Sequence, residues 1–248
     1  GMRNYYGSET KLLAQIEITY EDGEVAVIAT DDTFSWTQDG PIRFADNKDG
    51  EIYDAGREDF AKAVWKKAKV TSHKIWPTAS NNFPLIEQER LMNPKLIVTP
   101  SGKKVLDFGQ NIAGFVRMKV NAPKGTQITL EHCEILDKQG NFFNNIQGAS
   151  GVGKGVDQKD VYVCDGTSAT YEPHFTYHGF RYVRVTGIEP KAEDFTACVV
   201  STEKENLGTF KTSDERLNRL YENIRWSQCA NMLSVPTDCP QREKAGWT

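Results

Sequence analysis

The sequence predicts a mainly β protein of sandwich type that ends on one amphipathic helix. Three observations carry this expectation. Short apolar-rich runs (KLIVTP, KKVLDFG, GFVRMKV, TQITLEHCEIL, KDVYVCDG, FRYVRVTGI) recur at roughly even spacing, with turn signals such as Ser101-Gly102 and Ala122-Pro123-Lys124-Gly125 between them. A sustained helical period of apolar residues sets in only after residue 205. The chain has 248 residues, of which 38% are hydrophobic and 10% aromatic, enough to bury a core in one large domain or two small ones.

Taken in order, the first elements form a hairpin. Ile16, Ile18 and Tyr20 alternate with Gln15, Glu17 and Thr19, and Asp22-Gly23 separates them from VAVIAT. An Asp-Gly step between two alternating runs is a strong hairpin signal. Residues 34–60 are loop-rich and acidic, and DFAKAVWKKAKV is read as one or two helical turns with Phe60, Val64 and Trp65 on one side. Residues 76–94 carry Pro77, Pro84 and Pro94 and read as a linker or extended crossing segment. The β-rich runs follow as far as FTACVVST. In TSDERLNRLYENIRWSQCANML, Leu217, Leu220, Tyr221 and Ile224 fall at i, i+3, i+4 and i+7, and Thr212 with Glu215 fits a capping box. A helix with such a stripe calls for helical neighbours, so the chain is expected to enter a helical domain and stop.

Net charge is −4 and the pI about 5.7, so no basic surface marks a nucleic-acid partner. No apolar run reaches the ~18 residues of a membrane span. The five cysteines form neither a CxxC pair nor a visible disulfide framework, and reduced thiols are expected. A soluble protein, cytoplasmic or periplasmic, follows as the expectation.

Several segments carry candidate chemistry. GASGVGKG (148–155) has the G-x-x-x-x-G-K core of a phosphate loop, but Gly155 stands where Ser or Thr should be, and a strand-like run follows where a helix should. It reads as a β-connection. His174 and His178 in YEPHFTYHGFRYVRV lack a neighbouring carboxylate or cysteine at ligand spacing and read as strand-end packing. In DFGQNIAG, Asp107, Gln110 and Asn111 lie between two strands and could touch a ligand or bond their own backbone. DNKDGEIYDAG clusters Asp46, Asp49, Glu51 and Asp54. Such a loop can hold calcium, but it lacks the twelve-residue register, and a solvated acidic turn is the simpler reading. No metal and no cofactor is expected otherwise.

The segment SVPTDCPQREKAGWT brings Asp238, Arg242, Glu243 and Trp247 together in a loop stiffened by Pro236 and Pro240. It reads either as a helix-terminal loop with surface charges or as a sugar site. Two carboxylates with an arginine and a broad aromatic face suit glycoside hydrolysis, in which one acid protonates the leaving oxygen.

That segment resembles the signature of bacterial α-L-rhamnosidases of glycoside hydrolase family 78, in which it opens the catalytic (α/α)6 barrel. The resemblance runs through nearly the whole chain in the family's order. KLLAQIEITYEDGEVAVIATDDTFSW with GPIRFADNKDGEIYDA is similar to the N-terminal β-sandwich. VLDFGQNIAGFVRMKV, GTQITLEHCEILD and YEPHFTYHGFRYVRVTG are similar to the β-domain after it, and GTFKTSDERLNRLYENIRWSQCANMLSVPTDCPQRE to the start of the barrel. The resemblance implies two β-sandwich (jelly-roll-like) domains, a partial one over 1–90 and a second over 91–204, then the first helix of a truncated (α/α)6 barrel over 205–248. It implies Glu243 as general acid, Asp238 as a contact to rhamnose hydroxyls, Arg242 as a binding or neutralising cation and Trp247 as the lining of the sugar subsite.

The implied activity is inverting hydrolysis of terminal α-L-rhamnosyl linkages in a glycoside or polysaccharide. In the family, the water-activating carboxylate comes from a later barrel helix, so the chain alone is expected to be inactive. The family's N-terminal sandwich also begins before RNYYGSETKLLAQ and in some relatives binds rhamnose with calcium. The uncovered helix is expected to drive self-association. The alternative is a non-catalytic carbohydrate-binding β-sandwich module.

Overall fold

The computed structural model of the chain describes residues 8–72, 85–92, 94–144, 146, 156–202 and 208–247. In chain order the first strands are β1 (Gln15–Thr19), β2 (Val25–Ala29), β3 (Ser35–Trp36), β4 (Ile42–Asp46), β5 (Gly50–Asp54) and β6 (Lys66–Lys67). They are followed by β7 (Leu85–Met92), β8 (Lys95–Val98), β9 (Lys104–Val120), β10 (Gln127–Cys133), β11 (Lys159–Val163), β12 (Ala169–Tyr171), β13 (His178–Thr186) and β14 (Phe195–Thr202). The helix α1 (Glu215–Ala230) and the short strands β15 (Met232–Leu233) and β16 (Val235–Pro236) close the series. The mainly β class with a late helix agrees with the sequence. No helix among the described residues is long and apolar enough to cross a membrane.

Two compact units form, and they do not follow chain order. One comprises residues 1–40 and 59–79, the other 41–58 and 80–248. In the first, β1 pairs with β2 in the expected register, Ile16 opposite Ile28 and Ile18 opposite Ala26. Gly23 takes φ +87°, the left-handed state the turn requires. Ile16, Ile18, Val25 and Val27 are all exposed. β3 pairs with β6, and of the expected one or two helical turns a single 3-10 turn forms, Phe60–Lys62, capped by Asp59. Phe60 and Trp65 approach at 6.2 Å, while Val64 is exposed.

The second unit is built on one ten-stranded hydrogen-bonded network, ordered β4-β5-β11-β10-β13-β9-β14-β7, with β8 and β12 also on β9. β9 is 17 residues long. Its first half pairs with β8 and β13, its second half with β14 and β12. Two expectations are corrected here. DFGQNIAG does not connect two strands but lies inside β9, where Gly109 at φ +76° lets the strand bend without ending. Within the supposed linker, Leu85–Met92 is a strand paired with β14, because a β14 edge left open would strand a row of backbone donors and acceptors.

The core gathers Leu106, Ile112, Val116 and Met118 from β9 with Ile128, Leu130, Phe180, Val183 and Phe195. α1 is capped by Asp214, whose carboxylate accepts from the Arg216 amide, rather than by Thr212. The Thr212 hydroxyl instead accepts from the Asp214 amide, one step outside the helix. A carboxylate at this position also meets the positive end of the helix dipole, which a hydroxyl does not. Trp226 packs on the core, while Leu217, Leu220 and Ile224 stand exposed as expected. The segment 148–155, with its phosphate-loop-like GASGVGKG, lies outside the described residues.

Phe180 is fully buried, edge-on to Phe108 at 5.7 Å and to His132 at 4.9 Å. Phe180→Ala should destabilise the fold by about 3–5 kcal/mol through lost burial and a residual cavity, read as a lower midpoint in urea denaturation.

Candidate active site

The chain leaves α1 through Asn231 and turns back in the β15–β16 hairpin. Ser234 occupies the turn at φ +70°, and its amide donates to the Thr202 hydroxyl at 2.6 Å, tying the turn to the end of β14. The two sides of the next loop then pair with each other. Thr237 bridges Gly246, the Asp238 amide donates to the Ala245 carbonyl at 3.0 Å, and the Trp247 amide to the Pro236 carbonyl at 2.8 Å. Residues 238–245 are thus held as a closed loop rather than a free tail.

Within it, Asp238 Oδ1 accepts from the Cys239 amide at 2.8 Å and the Ala245 amide at 2.9 Å. Glu243 Oε2 accepts from Arg242 Nε at 2.5 Å and from Cys239 Sγ at 3.1 Å. Ligand-forming atoms of Asp238, Cys239 and Glu243 all lie within 4.8 Å of one another. Glu243 is held below the usual carboxylate range, chiefly by the hydrogen bond from Arg242, and the Arg242 guanidinium is pushed up by the same contact. The pair is substantially solvent-exposed, so the effect is screened.

The structure therefore brings together three of the four residues singled out in this segment. Trp247 stands apart, 75% exposed. Asp238 also borders a cleft between the helix end and the sheet, lined by Gln110, Asn111, Glu134, Trp226 and Asn231. Asn111 donates to Glu134 there at 3.0 Å. Glu243, Arg242 and Trp247 are not among the residues lining this cleft. Asp107 faces elsewhere and forms a two-point pair with Arg181 at 2.8 and 2.9 Å.

Beneath the loop lies a buried polar network that the sequence reading missed. Pro240 and Gln241 rest on Gly179 of β13, where an added Cβ would come within 2.9 Å of the Gln241 side chain. Lys244 is buried and takes φ +51°. Its Nζ donates to the carbonyls of Asn47 and Tyr177 and lies 4.4 Å from the Tyr177 ring. Burial pulls its amine down to about 7, against the attraction of Asp160 and Asp46. Asp160 is fully buried and pushed up to about 6 by loss of water. It accepts from the Glu51 amide at 3.1 Å and lies 3.0 Å from His178 Nε2. The His132 ring stacks on His178 at 4.1 Å. Burial keeps both imidazoles neutral, His132 down to about 3 and His178 well below its ordinary value.

The histidines have carboxylate partners after all. His178 meets Asp160, and His174 Nδ1 meets Glu51 Oε1 at 3.1 Å. Both partners come from other strands, which spacing within YEPHFTYHGF could not reveal. The acidic cluster 46–54 is dispersed rather than shared around one point. Glu51 is fully buried and accepts from the Tyr171 hydroxyl and the His174 amide. Asp46 accepts from the Lys48 and Asp49 amides, Asp49 from the Asp157 amide, and Asp54 caps a 3-10 turn.

Comparison with known proteins covers the same chain from end to end. Residues 97–201 match the bacterial alpha-L-rhamnosidase concanavalin-like domain, residues 205–248 the bacterial alpha-L-rhamnosidase 6 hairpin glycosidase domain, and residues 1–99 the alpha-L-rhamnosidase N-terminal domain. An alpha-L-rhamnosidase of Streptomyces avermitilis is 36% identical over 98% of this chain and 24% of its own length. One from Alteromonas sp. (strain LOR) is 34% identical over 96% of this chain and 27% of its own. Among solved structures, the Streptomyces avermitilis alpha-L-rhamnosidase complexed with L-rhamnose superposes with a TM-score of 0.80 at 35% identity, covering 95% of this chain and 24% of that one. The alpha-L-rhamnosidase from Dictyoglumus thermophilum gives 0.80 at 31% identity, covering 99% of this chain and 29% of that one. The chain spans about a quarter of the length of the curated relatives it matches.

The buried network sets a pH dependence. Between pH 4 and 6 the unfolded chain protonates both His132 and His178, which stay neutral in the fold, whereas the fold alone retains the Asp160 proton. Unfolding then takes up about one net proton from this cluster, so stability rises with pH at a slope on the order of 1.4 kcal/mol per unit in that window. Urea midpoints measured from pH 4 to 7 should climb throughout, because the buried Lys244 amine starts to lose its proton in the fold near 7 as the histidine contribution fades. The double variant His132→Gln, His178→Gln should lose the upward slope between pH 4 and 6.

Proposed function

Because the chain belongs to the bacterial α-L-rhamnosidase family, we propose that it supplies the β-domains and the opening of the catalytic barrel of an enzyme that removes terminal α-L-rhamnosyl groups with inversion. In this reading residues 1–90 and 91–204 are its two β-sandwich domains, the first giving 41–58 and the strand Leu85–Met92 to the sheet of the second, and 205–248 begins the (α/α)6 barrel. Glu243 protonates the leaving oxygen, Asp238 binds rhamnose hydroxyls, Arg242 balances their charge and Trp247 offers its exposed ring to the sugar. No cofactor takes part. The observation that supports this best is the convergence of Asp238 and Glu243 in one closed loop, with Arg242 on Glu243 at 2.5 Å.

Two features support an inactive chain when it stands alone. The ligand-forming oxygens of Asp238 and Glu243 lie within 4.8 Å of each other, closer than the ~6.5–9.5 Å that inverting chemistry leaves for water. Asp238 is therefore not the water-activating base for Glu243. Arg242 also holds Glu243 in its charged form, whereas a general acid at neutral pH needs a raised value. In the complete site, a facing carboxylate and exclusion of water would push Glu243 back up.

The purified 248-residue chain should release no p-nitrophenol from p-nitrophenyl α-L-rhamnoside above background. Robust release would overturn this account. In a protein extended through the whole barrel, Glu243→Gln should lower kcat by about 100-fold or more, while Asp238→Asn should act mainly on KM. The exposed Leu217, Leu220 and Ile224 should also make the short chain self-associate. Leu220→Asp should shift sedimentation toward monomer, and a wild-type chain that stays monomeric at high concentration would contradict this.

A further inference from the structure

We propose that Lys244 is a positioning residue: its side chain docks the loop carrying Asp238 and Glu243 onto the sheet unit through the main-chain carbonyls of Asn47 and Tyr177. Its importance for catalysis rests on the reading of those two carboxylates given above. The docking itself stands on geometry alone.

The loop's own hydrogen bonds close it on itself, from Asp238 to Ala245 and from Trp247 to Pro236. They set its shape but not its place, and a paired loop of this size is marginal on its own, so its amides stay protected only while it is docked. Pro240 and Gln241 touch Gly179, a contact without directional bonds. Lys244 supplies direction. One amine meets a carbonyl from the β4–β5 turn and a carbonyl just before β13, with the Tyr177 ring on a third side. Three donors on a tetrahedral nitrogen suit two carbonyls and an aromatic face.

The two carbonyl-bearing segments are far apart in sequence but are themselves locked together. The Thr176 hydroxyl donates to the same Asn47 carbonyl at 3.1 Å, and Glu51 and Asp160 tie β5 to β11. The charged groups around the amine are Asp160, Asp46 and Asp49, which favour it, and Lys48, which opposes it. Lys244 also takes a left-handed backbone state that side chains rarely adopt, and such states persist where surrounding contacts over-determine them. Glu243 is the adjacent residue, so the docked amine fixes where the proposed acid stands relative to the sheet.

The test is amide hydrogen exchange on the 248-residue chain without substrate, with rates corrected for intrinsic exchange. The reporters are the amides of Asp238, Ala245 and Trp247, with Val116 and Phe180 as controls in the sheet. Lys244→Met should speed reporter exchange by about tenfold or more and leave the controls unchanged. Lys244→Arg should restore most of the protection, because it keeps charge and donors. Tyr177→Leu, which removes the ring but keeps the carbonyl, should give an intermediate loss.

Unchanged reporters in Lys244→Met would overturn the proposal, and so would equal loosening of reporters and controls, or Lys244→Arg behaving like Met. Should Lys244→Met not fold, Lys244→Arg and Tyr177→Leu still decide it: full protection in Tyr177→Leu or none in Lys244→Arg counts against docking. The activity reading fails separately. A full-length enzyme that stays active with Glu243→Gln would remove the catalytic role and leave the exchange result standing.

Discussion

Asp160 is a carboxylate with no access to water, and much of the sheet unit is arranged around that fact. Removing an ionisable group from solvent is costly unless other groups replace its hydration. The Glu51 amide from β5 and the His178 ring from β13 meet it directly, His132 from β10 lies 3.9 Å away, and the Lys244 amine from the C-terminal loop acts on it through its charge. Each of these elements is remote in sequence from the others. Satisfying one buried carboxylate therefore draws the 41–58 segment, the central strands and the segment after α1 to one place.

The same requirement explains why residues 41–58 leave the chain's first unit. β5 runs parallel to β11, with Ile52 opposite Val161 and Tyr53 opposite Tyr162. Glu51 on that strand is itself fully buried and bonded to Tyr171 and His174. A segment carrying such a group cannot remain in a solvated loop without giving up those bonds. Its acidic composition suggested exposure, yet Glu51 and Asp160 are the most deeply buried acids among the described residues.

The proposed acid is thereby linked to the β-domain as well as to the helix. α1 delivers the chain to the right neighbourhood, the paired loop holds Asp238 and Glu243 together, and Lys244 orients the whole against the sheet. Arg242 keeps Glu243 charged in this setting. In such an arrangement the β-domain works as a support that orients the reacting groups, in keeping with the general need for a rigid surround behind a functional side chain.

The parts written locally in the chain were legible from it. The Asp22-Gly23 hairpin, the run of short strands, the stripe of Leu217, Leu220 and Ile224, and the grouping of Asp238, Arg242 and Glu243 each depend on residues a few positions apart. Period and turn chemistry act over that range. What could not be read is whatever depends on partners brought in from afar. The continuity of β9 through Gly109, the strand Leu85–Met92, the burial of Glu51 and the task of Lys244 all belong to this second kind. A charged side chain looks the same in a sequence whether water or protein surrounds it. Only packing, which sets how much solvent is lost and which distant dipoles replace it, makes that choice.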